Sequence, residues 1–254
     1  MSEEPMVDEF DTVAMWTADA VDELGQDHAL PAACRGSGSP AALRWLADRL
    51  ELVAGTRLLD SGAGVGGPAQ MVREERGVEP MLVEPMKGAC LAAARLFDHR
   101  VVVGDGAALP VEDGEYDVAW SVGVLCTVED KAAHVAELKR SVGPGGRVGL
   151  LVFVRTVADL PDEPEGNHFV SADELDELLR AAGLEILAAS YLDDHPAAPS
   201  EWDDAASAVD AVVERDHGDT DAFKSAARNQ ERMGDLIKDG QVAGRLLACQ
   251  VPQI

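Results

Sequence analysis

Positive charge is what this 254-residue chain has least of: 21 Lys and Arg stand against 47 Asp and Glu, a formal net charge of −26. Such a field repels phosphate backbones and anionic lipid, which argues against nucleic acid and acidic membranes as partners and leaves small neutral or cationic molecules. Long apolar runs are missing too. The stretch Leu150-Leu-Val-Phe-Val154 falls far short of the roughly 20 residues that a membrane helix needs. The opening Met1-Ser-Glu-Glu-Pro5 is acidic and carries neither the basic nor the apolar region of a secretory signal, so a cytoplasmic location is expected. Cysteine is scarce and scattered, at Cys34, Cys90, Cys126 and Cys249. Without a Cys-x-x-Cys spacing these positions argue against a zinc knot and against a disulfide framework, and no metal site is expected.

What is present is an ordinary globular share of apolar residues, 46%, in a length that suits one large α/β domain with additions. The acid is unevenly placed. Residues 1–30 hold 9 acids and no base, and residues 157–221 hold 19 acids and 2 bases, whereas residues 31–156 are nearly balanced with 16 acids and 14 bases. Either the acidic segments are a solvated surface that keeps the chain soluble, or they form a lid whose potential attracts a cationic amine.

Short apolar runs alternate with helical spacing from residue 41 onward. Strands are expected at Arg57–Asp60, Pro80–Glu84, Arg100–Val103, Tyr116–Ser121, Arg147–Val154, Leu184–Leu192 and Gly244–Val251. Helices are expected after Ser39-Pro40, over 68–76, 86–97 and 130–141, and from the capping box Ser171-Ala-Asp-Glu174 to Gly183. Two polar helices follow, at Trp202–Glu214 and Thr220–Lys238. This rhythm predicts an α/β fold with a doubly wound, Rossmann-like sheet. Residues 1–40 read as an N-terminal helical cap, with Phe10, Met15 and Trp16 on one face, and 41–254 as the main domain, with a cofactor-binding core at 41–156 and a lid insertion at 196–240 before the last strand.

The first strand breaks into Asp60-Ser-Gly62-Ala63-Gly64-Val-Gly66-Gly67-Pro68. Glycines let the backbone approach a ligand while the next helix points amide groups at it. Positions 62, 64 and 67 satisfy the dinucleotide spacing G-x-G-x-x-G, so NAD and S-adenosyl-L-methionine both compete for the turn. Asp60 meets a pyrophosphate with like charge and tolerates a sulfonium and an amino-acid moiety better. Glu84, ending the second strand, can accept both ribose hydroxyls of either cofactor. Asp105-Gly106-Ala107 follows the third strand, where a carboxylate can accept an adenine amino group, and Ser121 ends the fourth.

In this order the chain resembles the class I S-adenosylmethionine-dependent methyltransferases, over about residues 43–192. Leu58-Leu-Asp-Ser-Gly-Ala-Gly-Val-Gly-Gly67 is similar to the family's first motif, Glu84 to its second-strand acid, and Asp105-Gly-Ala-Ala-Leu-Pro110 to its third motif. Tyr116-Asp-Val-Ala-Trp-Ser121 resembles the fourth motif, and Leu138-Lys-Arg-Ser-Val-Gly-Pro-Gly-Gly146 the helix and turn before the fifth strand. Ser61 and Ala63 depart from the family, which often has valine or isoleucine and cysteine there. The resemblance implies a seven-stranded sheet with its last strand antiparallel, and Gly-Gly-Pro-Ala at 66–69 is most similar to the branch acting on small molecules. The implied activity is methyl transfer from S-adenosyl-L-methionine to O, N or C of a small organic acceptor. A fold member that uses the cofactor without methyl transfer, such as a cyclase, is the alternative, and an NAD-dependent oxidoreductase a remote one.

The implied cofactor contacts are Asp60, Gly62, Ala63, Gly64, Gly66, Glu84, Asp105, Gly106, Ala107 and Ser121. Met86 is added against the adenine face and Arg35 on the cofactor carboxylate. Of the six histidines, His168 lies past the fifth strand at the sheet's carboxyl edge and is the candidate general base. His134 is placed on the exposed side of its helix and His99 at the turn before the third strand, both at the surface.

Overall fold

The computed structural model describes residues 4–160 and 163–253, with side chains from residue 11 onward, so Phe10 lies outside the described side chains. Seven strands form one sheet: β1 (Arg57–Ser61), β2 (Glu79–Glu84), β3 (Val101–Val103), β4 (Val118–Val122), β5 (Arg147–Arg155), β6 (Glu185–Tyr191) and β7 (Val242–Gln250). Their order is β3-β2-β1-β4-β5-β7-β6. The first five run parallel, and β7 is antiparallel to both β5 and β6, as the resemblance implied. The order reverses between β1 and β4, so the loops leaving these strands flank a crevice at their carboxyl ends, the place where open α/β sheets bind ligands.

Alternation along the strands sorts the core into two layers. Leu59 and Ala119 face the layer built by Val135, Leu138, Leu175 and Leu179, which come from α6 (Lys131–Val142) and α7 (Ala172–Ala181). Leu58, Val118 and Trp120 face the opposite layer with Leu43, Leu46, Met71 and Val72, from α3 (Pro40–Arg49) and α4 (Gly67–Arg76). Trp120 is fully buried, and removing its indole from water is worth on the order of 5 kcal/mol. Room for it comes from Gly149, where a Cβ would stand 2.5 Å from Leu50 Cδ1 and 3.3 Å from Trp120 Cβ. The helix caps expected from sequence form as well. Ser39 accepts from Ala42 N, and Ser171 and Glu174 cap each other at the start of α7.

Ahead of the sheet, α1 (Glu4–Leu24) lies across α5 (Lys87–Phe97), and a short α2 (Ala29–Ala33) leads to the glycine turn. The packing is by small residues: Ala14, Ala18, Ala29, Ala32, Ala89 and Ala92 share one buried cluster with Val209, Val212 and Val213. Those valines come from α8 (Ser200–His217), which with α9 (Asp221–Lys238) occupies the segment between β6 and β7. Asp11 of α1 accepts from the backbone N–H of Gly88, capping the first turn of α5. No helix among the described residues is long and apolar enough to cross a membrane.

The end of α2 rests directly on the glycine turn. A Cβ on Gly67 would sit 2.4 Å from the carbonyl of Ala33 and 2.7 Å from the nitrogen of Cys34, both backbone atoms. Gly67→Ala is therefore expected to destabilise by about 1–3 kcal/mol through overpacking. Gly64→Ala, with open space around its Cβ position and φ +54°, should cost only the roughly 1–2 kcal/mol of a left-handed backbone and leave α2 seated. Urea unfolding together with proteolysis of the 24–38 segment checks both; equal protease resistance in the two variants contradicts the close-approach argument.

Candidate functional site

The glycine turn between β1 and α4 holds three left-handed residues, Gly62, Gly64 and Gly66, at φ 73°, 54° and 82°. Two of them are hemmed in. A Cβ on Gly62 would meet Val124 at 2.6 Å, and one on Gly66 would meet His99 at 2.8 Å and Leu82 at 2.9 Å. Gly64 faces open space, with nothing within 4 Å. Here the turn presents bare backbone to a ligand.

Two carboxyls are buried at this point, Asp60 at the end of β1 and Glu84 at the end of β2, each 2% exposed. Glu84 accepts from Gly64 N at 2.8 Å and from Met86 N at 3.0 Å. Loss of water raises its pKa, and these two N–H groups hold the rise back. Asp60 is pushed up to about 7, chiefly by desolvation and further by the charge of Glu84, with the Trp120 indole pulling the other way. The indole N–H leans toward the carboxyl without reaching hydrogen-bond geometry, and Asp60 Oδ2 has no partner. No ion pair among the described residues reaches either carboxyl. Buried carboxylates left without a cation are costly, and both sit beside the open Gly64.

The neighbouring loops complete the crevice. Asp105 is exposed and accepts from Ala107 N at 2.8 Å, closing a turn around Gly106. Ser121 is fully buried at the end of β4, its hydroxyl 3.0 Å from His134 Nε2. That partner corrects the expectation of a surface His134: the residue is 1% exposed. It lies on the same inward face of α6 as Val135, Leu138 and Val142, and the bond to Ser121 offsets the cost of burying an imidazole there. His99 is corrected likewise. It is 6% exposed, its Nε2 lies 3.2 Å from the carbonyl of Gly66, and its ring tilts against Phe97. Because the carbonyl only accepts, Nε2 carries the proton and donates. Desolvation lowers both imidazoles to about 4. The signal for His134 was available in the sequence, as a polar residue at helical spacing with an apolar stripe.

Over the crevice runs the loop 34–38. Cys34 rests on Gly67, and the carbonyl of Gly36 stands 2.9 Å from where a Cβ of Gly123, after β4, would be. Arg35 pairs through Nη1 with Asp210 of α8 at 2.9 Å, while its Nε and Nη2 are buried without partners. Nε and Nη2 form the side-on edge of a guanidinium, the edge by which Arg44 grips Glu75 in this same chain. Met86 is half-buried at the N-cap of α5, packed against the cluster that α1, α2, α5 and α8 share. Ala63 is buried in the turn itself. His168 is exposed; its backbone N–H donates to the Cys126 carbonyl at 2.7 Å, and its ring makes no hydrogen bond or ion pair with another described residue. The structure thus gathers Asp60, the glycines, Glu84, Met86 and Ser121 at one sheet edge with Arg35 above them, and leaves His168 on a neighbouring loop.

A doubly wound sheet with this order, and an acid-flanked glycine turn at its reversal, is the architecture of the class I S-adenosylmethionine-dependent methyltransferases, and the chain is similar to that family. Residues 59–150 match the methyltransferase domain family. The chain is 33% identical to tocopherol O-methyltransferase of Arabidopsis thaliana over 104 residues, 38% of this chain and 30% of that protein. It is 32% identical to 27-O-demethylrifamycin SV methyltransferase of Amycolatopsis mediterranei over 157 residues, 55% of this chain and 58% of that protein. The chain therefore spans from under a third to under two thirds of the length of these relatives. Among solved structures, the 4+2 cyclase SpnF superposes with a TM-score of 0.67 at 26% identity, covering 84% of this chain and 81% of that one. The sarcosine dimethylglycine methyltransferase of Galdieria sulphuraria, described as a candidate of that activity, superposes with a TM-score of 0.64 at 18% identity, covering 84% and 85%, and shares the fold.

His99 generates a pH prediction. Its ordinary pKa is 6.5 and burial lowers it to about 4, so between these limits the unfolded chain binds a proton that the folded one does not. Stability then falls as pH falls through this window. His99→Gln should flatten the decline between pH 6.5 and 4 by about one proton, read as the slope of urea stability against pH. The rise of Asp60 acts oppositely in both proteins and cancels in the comparison. An unchanged slope contradicts a buried, neutral His99.

Proposed function

We propose that the chain binds S-adenosyl-L-methionine at the glycine turn and transfers its methyl group to O, N or C of a small organic acceptor. The observation that carries this reading is the pair of buried carboxyls, Asp60 and Glu84, without a cation beside the open Gly64. A ligand bearing a sulfonium, an ammonium and ribose hydroxyls supplies what that pair lacks, whereas the pyrophosphate of NAD would add like charge. The donor set fits in detail. Glu84, already aligned by two N–H groups, has acceptor capacity left for ribose hydroxyls. Asp60 opposes the cationic end. The free edge of Arg35 suits a carboxylate, the Asp105-Gly106-Ala107 turn and Met86 take the base, and Ser121 closes the floor.

The bound group supplies an electrophilic methyl on sulfur. The work of the chain is then to hold donor and acceptor in line and to exclude water, with proton removal needed only where the acceptor atom carries one. His168 is assigned as that proton acceptor, from its place past β5. Residues 1–40 act as a cap and 196–240 as a lid, joined by Arg35 and Asp210. The acidic balance supports a cytoplasmic protein without nucleic-acid or lipid partners. A second reading, use of the cofactor without methyl transfer, is favoured by the likeness to a cyclase at 26% identity. Product analysis separates them: S-adenosylhomocysteine with an acceptor heavier by a CH₂ unit supports transfer, and an isomerised acceptor with the cofactor intact supports the second.

Calorimetry should show binding of S-adenosylmethionine and S-adenosylhomocysteine and none of NAD. Glu84→Gln places an amide nitrogen against Gly64 N or Met86 N, and affinity should fall at least about tenfold. Asp60→Asn removes a charge whose burial costs stability as pH rises from 3.8 through about 7, so at pH 8 it should stabilise the free protein by on the order of 3 kcal/mol while weakening S-adenosylmethionine. Unchanged affinity in both variants contradicts the assignment.

A further inference from the structure

Beneath the Asp105–Ala107 turn lies a polar cluster inside an otherwise apolar core. Ser61 at the end of β1, Ser121 at the end of β4 and His134 on α6 are all buried, at 0%, 0% and 1% exposure. His134 Nε2 is taken by Ser121 Oγ, but His134 Nδ1 and Ser61 Oγ have no partner. Both point at the same spot: a Cβ on Gly106 would stand 2.4 Å from Nδ1 and 3.2 Å from Ser61 Oγ. The imidazole thus fills the volume that any side chain at 106 would need, and the turn lies flat on it. Two orphaned polar atoms converging on one glycine are rare in a finished core.

We infer that His134 is a positioning residue for a purine base: held by Ser121, its imidazole sets the height of the Asp105-Gly106-Ala107 turn on which the base is read. The inference rests on the proposed cofactor reading and deepens it, because His134 touches no ligand itself and acts through Gly106. The neutral state of the ring fits this role. A cation under Asp105 would draw the carboxylate away from Ala107 N, and desolvation keeps His134 uncharged. Leucine would fill the same volume but leave Ser61 and Ser121 without any polar neighbour on α6; glutamine keeps an amide within reach of Ser121.

The test titrates S-adenosylhomocysteine and 5′-methylthioadenosine, which lacks the amino-acid arm, into the wild type, His134→Leu and His134→Gln, with thermal unfolding of each sample. The expected result is a loss of about tenfold in His134→Leu for both probes alike, with cooperative unfolding retained, and recovery of most of that affinity in His134→Gln. Equal binding by wild type and His134→Leu overturns the inference, as does a loss confined to S-adenosylhomocysteine. A wild type that binds neither probe overturns the cofactor reading itself and the inference with it, a result seen without any variant. Should His134→Leu fail to fold, Gly106→Ala reads the same contact from the other side. Its Cβ lifts the turn, and methylthioadenosine should weaken by a similar factor; unchanged binding there overturns the inference.

Discussion

Two carboxyls withdrawn from water at the ends of adjacent strands set the terms for the rest of this structure. Asp60 and Glu84 stand where β1 and β2 reach the carboxyl edge, and no cation of the described chain answers them. Glu84 is held by the N–H groups of Gly64 and Met86, so its charge is partly met by backbone. Asp60 has less support and is driven toward neutrality. The glycine turn has to follow its path because it must bring Gly64 N to Glu84 while passing under α2 at Gly67 and over His99 at Gly66. A site of this kind keeps local instability for a ligand to relieve. The anion-repelling arrangement is also the physical reason why a glycine spacing shared with dinucleotide-binding proteins points here to a cationic cofactor.

Around that centre, the outlying segments are tied together by few but specific contacts. Alanines of α1 let it sit close on α5, α2 packs against α4 and α8, and α8 closes the same cluster. Charge then stitches the rim: Arg35 to Asp210, Arg215 to Glu23, and Arg95 to Asp19 and Asp22. Exposed pairs such as the last three are each worth little. Arg35 differs, because its Nε and Nη2 groups are buried and have no hydrogen-bond partner. A ligand carboxylate on that edge would connect the glycine turn to α8 through a single guanidinium.

Much of this was legible in the sequence, and the reasons are local ones. The strands expected at Arg57–Asp60, Pro80–Glu84 and Tyr116–Ser121 show as compact apolar runs, and helix starts at Ser39-Pro40 and Ser171-Ala-Asp-Glu174 carry their own caps. Glu84 was expected at the end of the second strand, and it stands there with Gly64 N donating to it. The two histidines were misplaced for different reasons. His134 shares its helix face with Val135, Leu138 and Val142, a stripe legible in the spacing, but the hydroxyl of Ser121 that receives it there is a tertiary contact. His99 is inward because the carbonyl of Gly66 lies 33 residues away in sequence and 3.2 Å away in space, a partner that spacing does not reveal. Asp210 as the partner of Arg35 is a tertiary fact of the same kind. Asp105 Oδ1 accepts from Ala107 N and closes a turn, the ordinary use of an Asp-Gly pair, which stands beside the ligand contact expected of it.

The central claim is that Asp60 waits for a cation. Its titration, followed by carboxyl-carbon NMR in the free protein and again with saturating S-adenosylmethionine, tests this most directly. The account predicts a midpoint of about 7 in the free protein and a fall toward the ordinary carboxylate range once the ligand is bound. An ordinary midpoint in the free protein, or one that does not move on saturation, would contradict it.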